Sequence, residues 1–393
     1  PTSLGSASNS AGGAGIKLHA LSTSRIEGTI LMRAADSGVG SGSGGSIWIK
    51  ANKIEGSGMI DASSLGTYIT GSGGRVRLEY ANNLSYNGTL TLWRYTGTGF
   101  FGGGEAGTLT FTNNTWPGNW DLTGNIGLLG GDYGEGNTTN VLGNFNTRGY
   151  NISIFGDCYY TMTVGPTCYN KTSEGRGVWI NASGNITIEK NSILYGTSHG
   201  FTVGPGYPGA NGGASHGGRG RGNSPGTYGN EIAPTALGSG SNDGGTGIGG
   251  GAIILQSDTN TVTINGSVLM TTWGYGASGG SIYVKSAIIK GNGFLDATGA
   301  GGNCQAGGGG RIAMQSTKGT NFSGTIWNKG GNGAACPGFL GDGGTVFINS
   351  TIGIIGFINI STVGGAGYGQ ATINLTAPYL NLTSGNFNAY NYG

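Results

Sequence analysis

Acidic residues are the natural starting point, because cleaving a polysaccharide takes two carboxyl groups in one groove, for calcium or for general acid and base work. The aspartates, Asp36, Asp61, Asp121, Asp132, Asp157, Asp243, Asp258, Asp296 and Asp342, are scattered. The one tight acidic pair is Asp132 with Glu135, in Gly131-Asp132-Tyr133-Gly134-Glu135. Glycine-rich calcium repeats carry a periodic aspartate that is missing here. A basic cluster offers different chemistry. His199, His216, Arg219 and Arg221 gather in one glycine-rich stretch, suited to gripping an anionic sugar or phosphate through guanidinium and backbone N–H groups. The competing reading is a solvated insertion that folds against the rest of the chain. No Gly-x-x-x-x-Gly-Lys-Ser/Thr phosphate loop occurs. The four cysteines, Cys158, Cys168, Cys304 and Cys336, contain no Cys-x-x-Cys, which argues against zinc. Catalytic residues, metal ligands and cofactors are therefore expected to be none.

Composition narrows the classes further. Of 393 residues 89 are glycine, against an average of about 7%. With nine prolines and no three-residue period, collagen is excluded. Charged residues make up 9% and the net charge is +2, so no electrostatic field argues for nucleic acid or an anionic membrane. Apolar residues, 36%, fall in short alternating β-branched runs that a disordered linker would not need. None of these runs approaches the ~18 residues of a membrane span. A chain starting at Pro1 without methionine or signal peptide reads as a processed product or a portion of something longer.

The elements that must position any site come from a repeat. Gly44-Gly45-Ser46-Ile47-Trp48-Ile49-Lys50-Ala51, continuing to Asp61-Ala62-Ser63, is matched without a gap by Gly279-Gly280-Ser281-Ile282-Tyr283-Val284-Lys285-Ser286, continuing to Asp296-Ala297-Thr298. Weaker copies recur every ~30 residues, as in Gly74-Arg75-Val76, Gly107-Thr108-Leu109, Gly310-Arg311-Ile312 and Gly344-Thr345-Val346. Each unit reads as glycines, an alternating strand, a bend, a second strand and a glycine-rich loop. Such a strand cannot bury itself, but stacked on its equivalents it forms a parallel sheet with an apolar interior. The expectation is an all-β parallel β-helix of about ten rungs, with glycines in its corners for positive φ and close approach. Ile47 and Ile49 then point inward, Trp48 and Lys50 outward. Asp61 and Asp296 share one place in the repeat, which argues for a turn.

The organisation read from this is a lead-in at 1–15, a first array at 16–130, irregular units at 131–248 with a long insertion at 196–250, a second array at 249–365, and a strand-like segment at 366–393. The lead-in and the last segment are candidates for joining subunits. The Gly-Gly-Ser-Ile-x-Ile-x-Ala … Ile-x-Gly-x-Gly-x-Ile-x-Ala pattern resembles the glycine-rich right-handed parallel β-helix repeats of cell-surface, adhesin-like proteins. That resemblance implies a fold and an extracellular setting and transfers no functional residues. Pectin-lyase-like enzymes share the architecture, and fold alone does not imply their activity.

Four cysteines permit three pairings. Cys158 and Cys168 suit a local loop, and Cys304 with Cys336 a staple between adjacent rungs, free buried thiols being the alternative. Sequons are denser than composition supplies: Asn83, Asn87, Asn113, Asn137, Asn151, Asn170, Asn181, Asn185, Asn265, Asn321, Asn349, Asn359, Asn374 and Asn381 each begin Asn-x-Ser/Thr. Trp48, Trp179 and Tyr283 fill the same outward slot, as sugar or subunit contacts together with Arg219 and Arg221, or beneath the chain's own loops. Thr-x-Thr pairs fall on different strands, which argues against a flat ice-matching face. The leading expectation is a glycosylated extracellular structural protein, a filament subunit or a segment of a fibrous adhesin, with copies of itself and N-linked glycans as partners. The alternatives are a carbohydrate-binding adhesin and, further off, a polysaccharide lyase or hydrolase.

Overall fold

A computed structural model describes residues 4–5, 11–34, 42–64, 72–92, 107–111, 115–123, 126–129, 138–155, 175, 177–209, 212–222, 224–241, 247–302, 305–332, 340–356, 358–362, 371–382 and 386–388. Contacts divide the chain into two compact units, Pro1–Leu128 with Asn140–Ser153, and Leu129–Thr139 with Ile154–Gly393. The described residues contain no helix, and their strands stack in parallel as a β-solenoid of about nine turns.

In the first unit Gly15–His19, Ser46–Gly56, Arg75–Tyr86 and Thr108–Phe111 lie side by side in one register. Side chains two apart share a face, so stacking lines Ile16, Ile47, Val76 and Leu109 into one inward column and Leu18, Ile49, Leu78 and Phe111 into another. Ile47, Ile49 and Leu78 are fully buried. A bulge between Ala51 and Lys53 turns the long strand through a corner, and Ser24, Ile54 and Leu84 continue the stack on the next face. Ile30, Ile60 and Leu90 form the third wall. Farther along this unit aromatic rings fill the interior: Trp116 and Trp120 stack at 5.0 Å, with Phe111 and Phe145 edge-on to Trp120 at 5.5 and 5.3 Å.

The second unit repeats the plan with longer columns. Ile253, Ile282, Ile312, Val346 and Ile373 stack in one line, and Leu255, Val284, Met314, Ile348 and Leu375 in the next. Leu194, Val268, Leu295, Ile326, Ile360 and Phe387 make a third wall. At the bend, where bulged backbone loses its ladder, Ser257, Ser286, Ser316 and Ser350 stack in register, all buried. Their hydroxyls serve the groups left over: Ser257 donates to the Gly184 carbonyl at 2.6 Å and Ser286 to that of Ile288 at 2.7 Å.

Glycine does two separate jobs. At the twin corner positions Gly56 and Gly291, φ is 120° and 119°, the left-handed side that a Cβ disfavours. The long glycine runs differ from that corner expectation, because Gly307 to Gly310 have no positive φ. Their successive N–H groups turn to different neighbours: Gly307 to Ala300, Gly308 to Ala214, Gly309 to Asp342, and Gly310 back to Ala297, at 2.8–2.9 Å. The carbonyls of 307–310 accept from Gly331, Gly279, Gly218 and Thr345 in turn. Donor direction returning after three residues is the signature of an extended three-fold helix, which has no internal hydrogen bonds and must bond outward. A Cβ on Gly307, Gly308 or Gly310 would lie 1.9–2.0 Å from a neighbouring carbonyl oxygen. This second core is packed mainly from backbones, with the buried Asn328 amide bonded into it.

Candidate functional site

Most of the candidate groups that the structure describes lie on the outward surface; the buried exceptions include Asp61, His199, His216, Tyr283 and Asp296. Eleven of the fourteen sequon asparagines are described, and all eleven are exposed or half-buried. Asn113, Asn137 and Asn170 lie outside the described residues. In Asn374-Leu375-Thr376 the Asn and Thr side chains point out together, the Thr376 hydroxyl 3.0 Å from Asn374 Oδ1. Asn328 is the one fully buried asparagine among the described residues. It belongs to no sequon, and its amide donates to the Gly310 and Thr345 carbonyls. Alternation explains the split: strand positions that face the core are apolar, so a strand asparagine has only the outside left to occupy.

The three outward aromatics do share a slot, but their surroundings differ. Register aligns Lys17, Trp48 and Arg77 on neighbouring rungs, with Lys17 Nζ 3.9 Å above the Trp48 ring and Arg77 Cζ 5.8 Å from it. Beside them Lys50 reaches Glu79 at 2.6 Å, and this bond, with the charges of Lys50 and Arg77, holds the Glu79 carboxyl below its ordinary range. An open groove of 370 Å³ lies next to this pair, lined by His19, Leu21, Asn52 and Tyr80 among others. Cations already occupy the indole of Trp48.

On the second unit the slot runs Trp179, Ile254, Tyr283, Ala313 and Phe347, an apolar column with Ala233 packed on it. Tyr283 is 8% exposed and donates to Gln315, whose amide donates to the Ile232 carbonyl at 2.8 Å. Arg311, also buried, donates to the Tyr228 carbonyl at 2.8 Å and to the Thr345 hydroxyl at 3.1 Å, with Glu231 3.5 Å away. Tyr283 therefore sits beneath the chain's own cover, while Trp179 is half-buried at the end of the same column. Arg311 was the missed residue. It stands in register with Ala252, Ser281, Thr345 and Thr372, where a charge among small residues was the available signal.

The insertion departs from the solvated reading. Residues 212–218 are buried, because their glycines bond into the backbone core described above. His216 is wholly enclosed, with Tyr228 4.7 Å away ring to ring. Its Nδ1 lies 2.8 Å from the Gly279 carbonyl, which only accepts, so Nδ1 carries the proton. Burial first, and then the Arg311 charge, drive its pKa down to about 3. His199 packs against Tyr195 instead, and Arg219 is exposed on the insertion's outer side. The fold thus gives the basic cluster unlike surroundings, His216 enclosed, Arg221 half-buried and Arg219 exposed.

Both repeat aspartates close turns. Asp61 accepts from the Ser63 N–H at 2.8 Å and Asp296 from the Thr298 N–H at 2.9 Å. Asp61 also takes the Arg33 guanidinium at 2.7 Å, while burial raises the Asp296 carboxyl. Asp132, Glu135 and all four cysteines lie outside the described residues. Among the described residues no three metal-ligating side chains converge, and no helix is long and apolar enough to cross a membrane. Comparison with protein-family models, with curated proteins and with solved structures finds no match.

Proposed function

We propose that this chain is a glycosylated, non-enzymatic structural protein of the cell surface, the subunit of a filament or a segment of a fibrous adhesin. The observation that carries this reading is the sorting of asparagines, with all eleven described sequons on the outer surface and the buried Asn328 in none. A solenoid whose strands alternate in and out accepts a glycan on many of its rungs without disturbing the core. Glycans so placed keep proteases off and block adventitious pairing of sheet edges. Copies of the chain and N-linked glycans are its partners in this reading. The test is microscopy of native material by negative stain, with its mass measured before and after glycan removal. Fibres and a mass loss of several glycans are expected. Discrete particles of unmodified mass would overturn the proposal.

A further inference from the structure

The first and the last described rungs, one in each unit, resemble each other in a way the rungs between them do not. Strands start at 15, 23 and 29 in the first rung and at 372, 380 and 387 in the last. Each of these six strands pairs on one side only, in parallel, among the described residues. The inward residues that would be sealed in an interior rung are open. Ile16, Leu18, Ile30, Ile373 and Leu375 are half-exposed and Phe387 is 40% exposed, whereas Ile47, Ile49, Ile282 and Val284 are fully buried. One rung presents the leading edge of the repeat and the other its trailing edge, so they are complementary rather than identical.

We propose that copies of this chain join head to tail by continuing the solenoid, the rung at 372–388 of one copy receiving the rung at 15–31 of the next. This deepens the filament reading and rests on it. The register follows from the ladders already formed. Residues aligned with Ser46 in the first unit and Ser281 in the second are Gly15 and Thr372, which brings Ile16 over Ile373, Leu18 over Leu375 and Ile30 over Phe387. Apolar meets apolar on two walls, and on the outer face Lys17 meets uncharged Asn374. A head-to-tail contact of this kind is heterologous, the class of interface from which filaments are built when its rotation does not close a ring.

The bond that would open each joint can also be named. In the regular interior rungs of both arrays, the lead strand's first N–H donates to the residue before the lead strand of the previous rung: Arg75 to Gly45, Thr108 to Gly74, Ser281 to Gly251, Arg311 to Gly280 and Thr345 to Gly310, at 2.9–3.1 Å. Across the joint, the same rule has Gly15 donating to the Ala371 carbonyl. The donor's own preceding residue is glycine in the interior, because a Cβ on Gly45 or Gly280 would lie 1.8 or 1.7 Å from the neighbouring carbonyl. At the two outer rungs that place is held by Ala14 and Ala371. Ala371 is accommodated over Gly344 with the Thr372 bond drawn out to 3.3 Å. Ala14 makes the joint between copies similarly loose, so joints are weaker than the rungs inside a copy.

Two single variants, Lys17→Cys and Asn374→Cys, are mixed and treated with a short thiol crosslinker, and the linked peptides are mapped by mass spectrometry. A Lys17→Cys to Asn374→Cys crosslink between copies is expected, with none when Asn374→Cys is replaced by the interior-rung variant Thr110→Cys. Leu375→Asp should abolish fibres. Ala14→Gly, which removes a methyl group from an exposed position and leaves folding intact, should lower the concentration needed for assembly several-fold. Fibres that form but withhold the crosslink, or that ignore both Leu375→Asp and Ala14→Gly, overturn the joint and leave the filament reading standing. A chain that stays monomeric at every concentration overturns both. Native protein in which a continuing chain already occupies the rung at 372–388 overturns the joint.

Discussion

The two arrays share a repeat and an interior but not an exterior. In the first, Trp48 stands between Lys17 and Arg77, and the surrounding strands carry the Lys50–Glu79 and Lys53–Glu55 pairs. In the second, the same slot holds Ile254, Tyr283 and Ala313, sealed under a segment of the chain itself. A stacked repeat is constrained mainly on its inside. Inward columns must match at every rung or the stack opens, while an outward residue answers only to what lies above it, water in one array and a folded insertion in the other.

Both arrays depend on the same close backbone contacts before each lead strand. Gly45→Val and Gly280→Val each force a Cβ into a backbone oxygen below 2 Å, so each should cost more than about 4 kcal/mol and unfold its own array, as proteolysis of the two units would show. Next comes the shared slot itself. Tyr283→Ala leaves a void under the cover and should cost about 3 kcal/mol. Trp48→Ala loses a half-exposed ring and two cation–π contacts and should cost about 1 kcal/mol, both read by thermal unfolding.

Acid separates the arrays in a third way. The His216 ring is held neutral in the fold, its pKa about 3 against an ordinary 6.5, so the unfolded chain takes up the proton first. Its contribution is full above about pH 6.5 and is lost as pH falls towards 3, about 2 kcal/mol being gone by pH 5. His216→Asn should flatten that slope in hydrogen exchange of the insertion, and exchange in the first array should not move with it. The smallest expected effect distinguishes the twin aspartates. Asp61→Asn breaks the bond to Arg33 and should cost about 1 kcal/mol. Asp296, whose carboxyl is raised by burial, loses stability as pH climbs through its raised value, so Asp296→Asn should gain stability at neutral pH relative to acid, measured by urea unfolding at both.

Much of the interior was legible because period-two alternation states it directly. Ile47, Ile49, Ile282 and Val284 point where the pattern sends them, and the coincidence of Asp61 with Asp296 correctly signalled a turn. The exterior was less so. Whether Tyr283 meets water depends on residues 228–233, some fifty positions earlier, and no local pattern encodes that contact. The insertion does fold against the rest of the chain, but 212–218 is buried rather than solvated, its glycines placed where neighbouring backbones leave no room for a Cβ. A run of glycine looks the same in a sequence whether it is flexible or fully packed. The aromatic filling at Trp116, Trp120 and Phe145 went unread because that region departs from the repeat.

The mainly backbone core around Gly307 to Gly310 has a thermal consequence. Unfolding an ordinary core exposes hydrocarbon and raises the heat capacity by about 0.45 cal/mol/K per Å², whereas exposing peptide groups lowers it by about 0.26. Melting this glycine lattice uncovers mostly backbone amides, with few side chains among them. Its heat-capacity increment is therefore small, and its stability curve is broad and shallow where that of an aliphatic core is a steep dome. Such a lattice keeps nearly the same strength across a wide range of temperature, and its limit on heating is set by the large freedom that glycine regains on release.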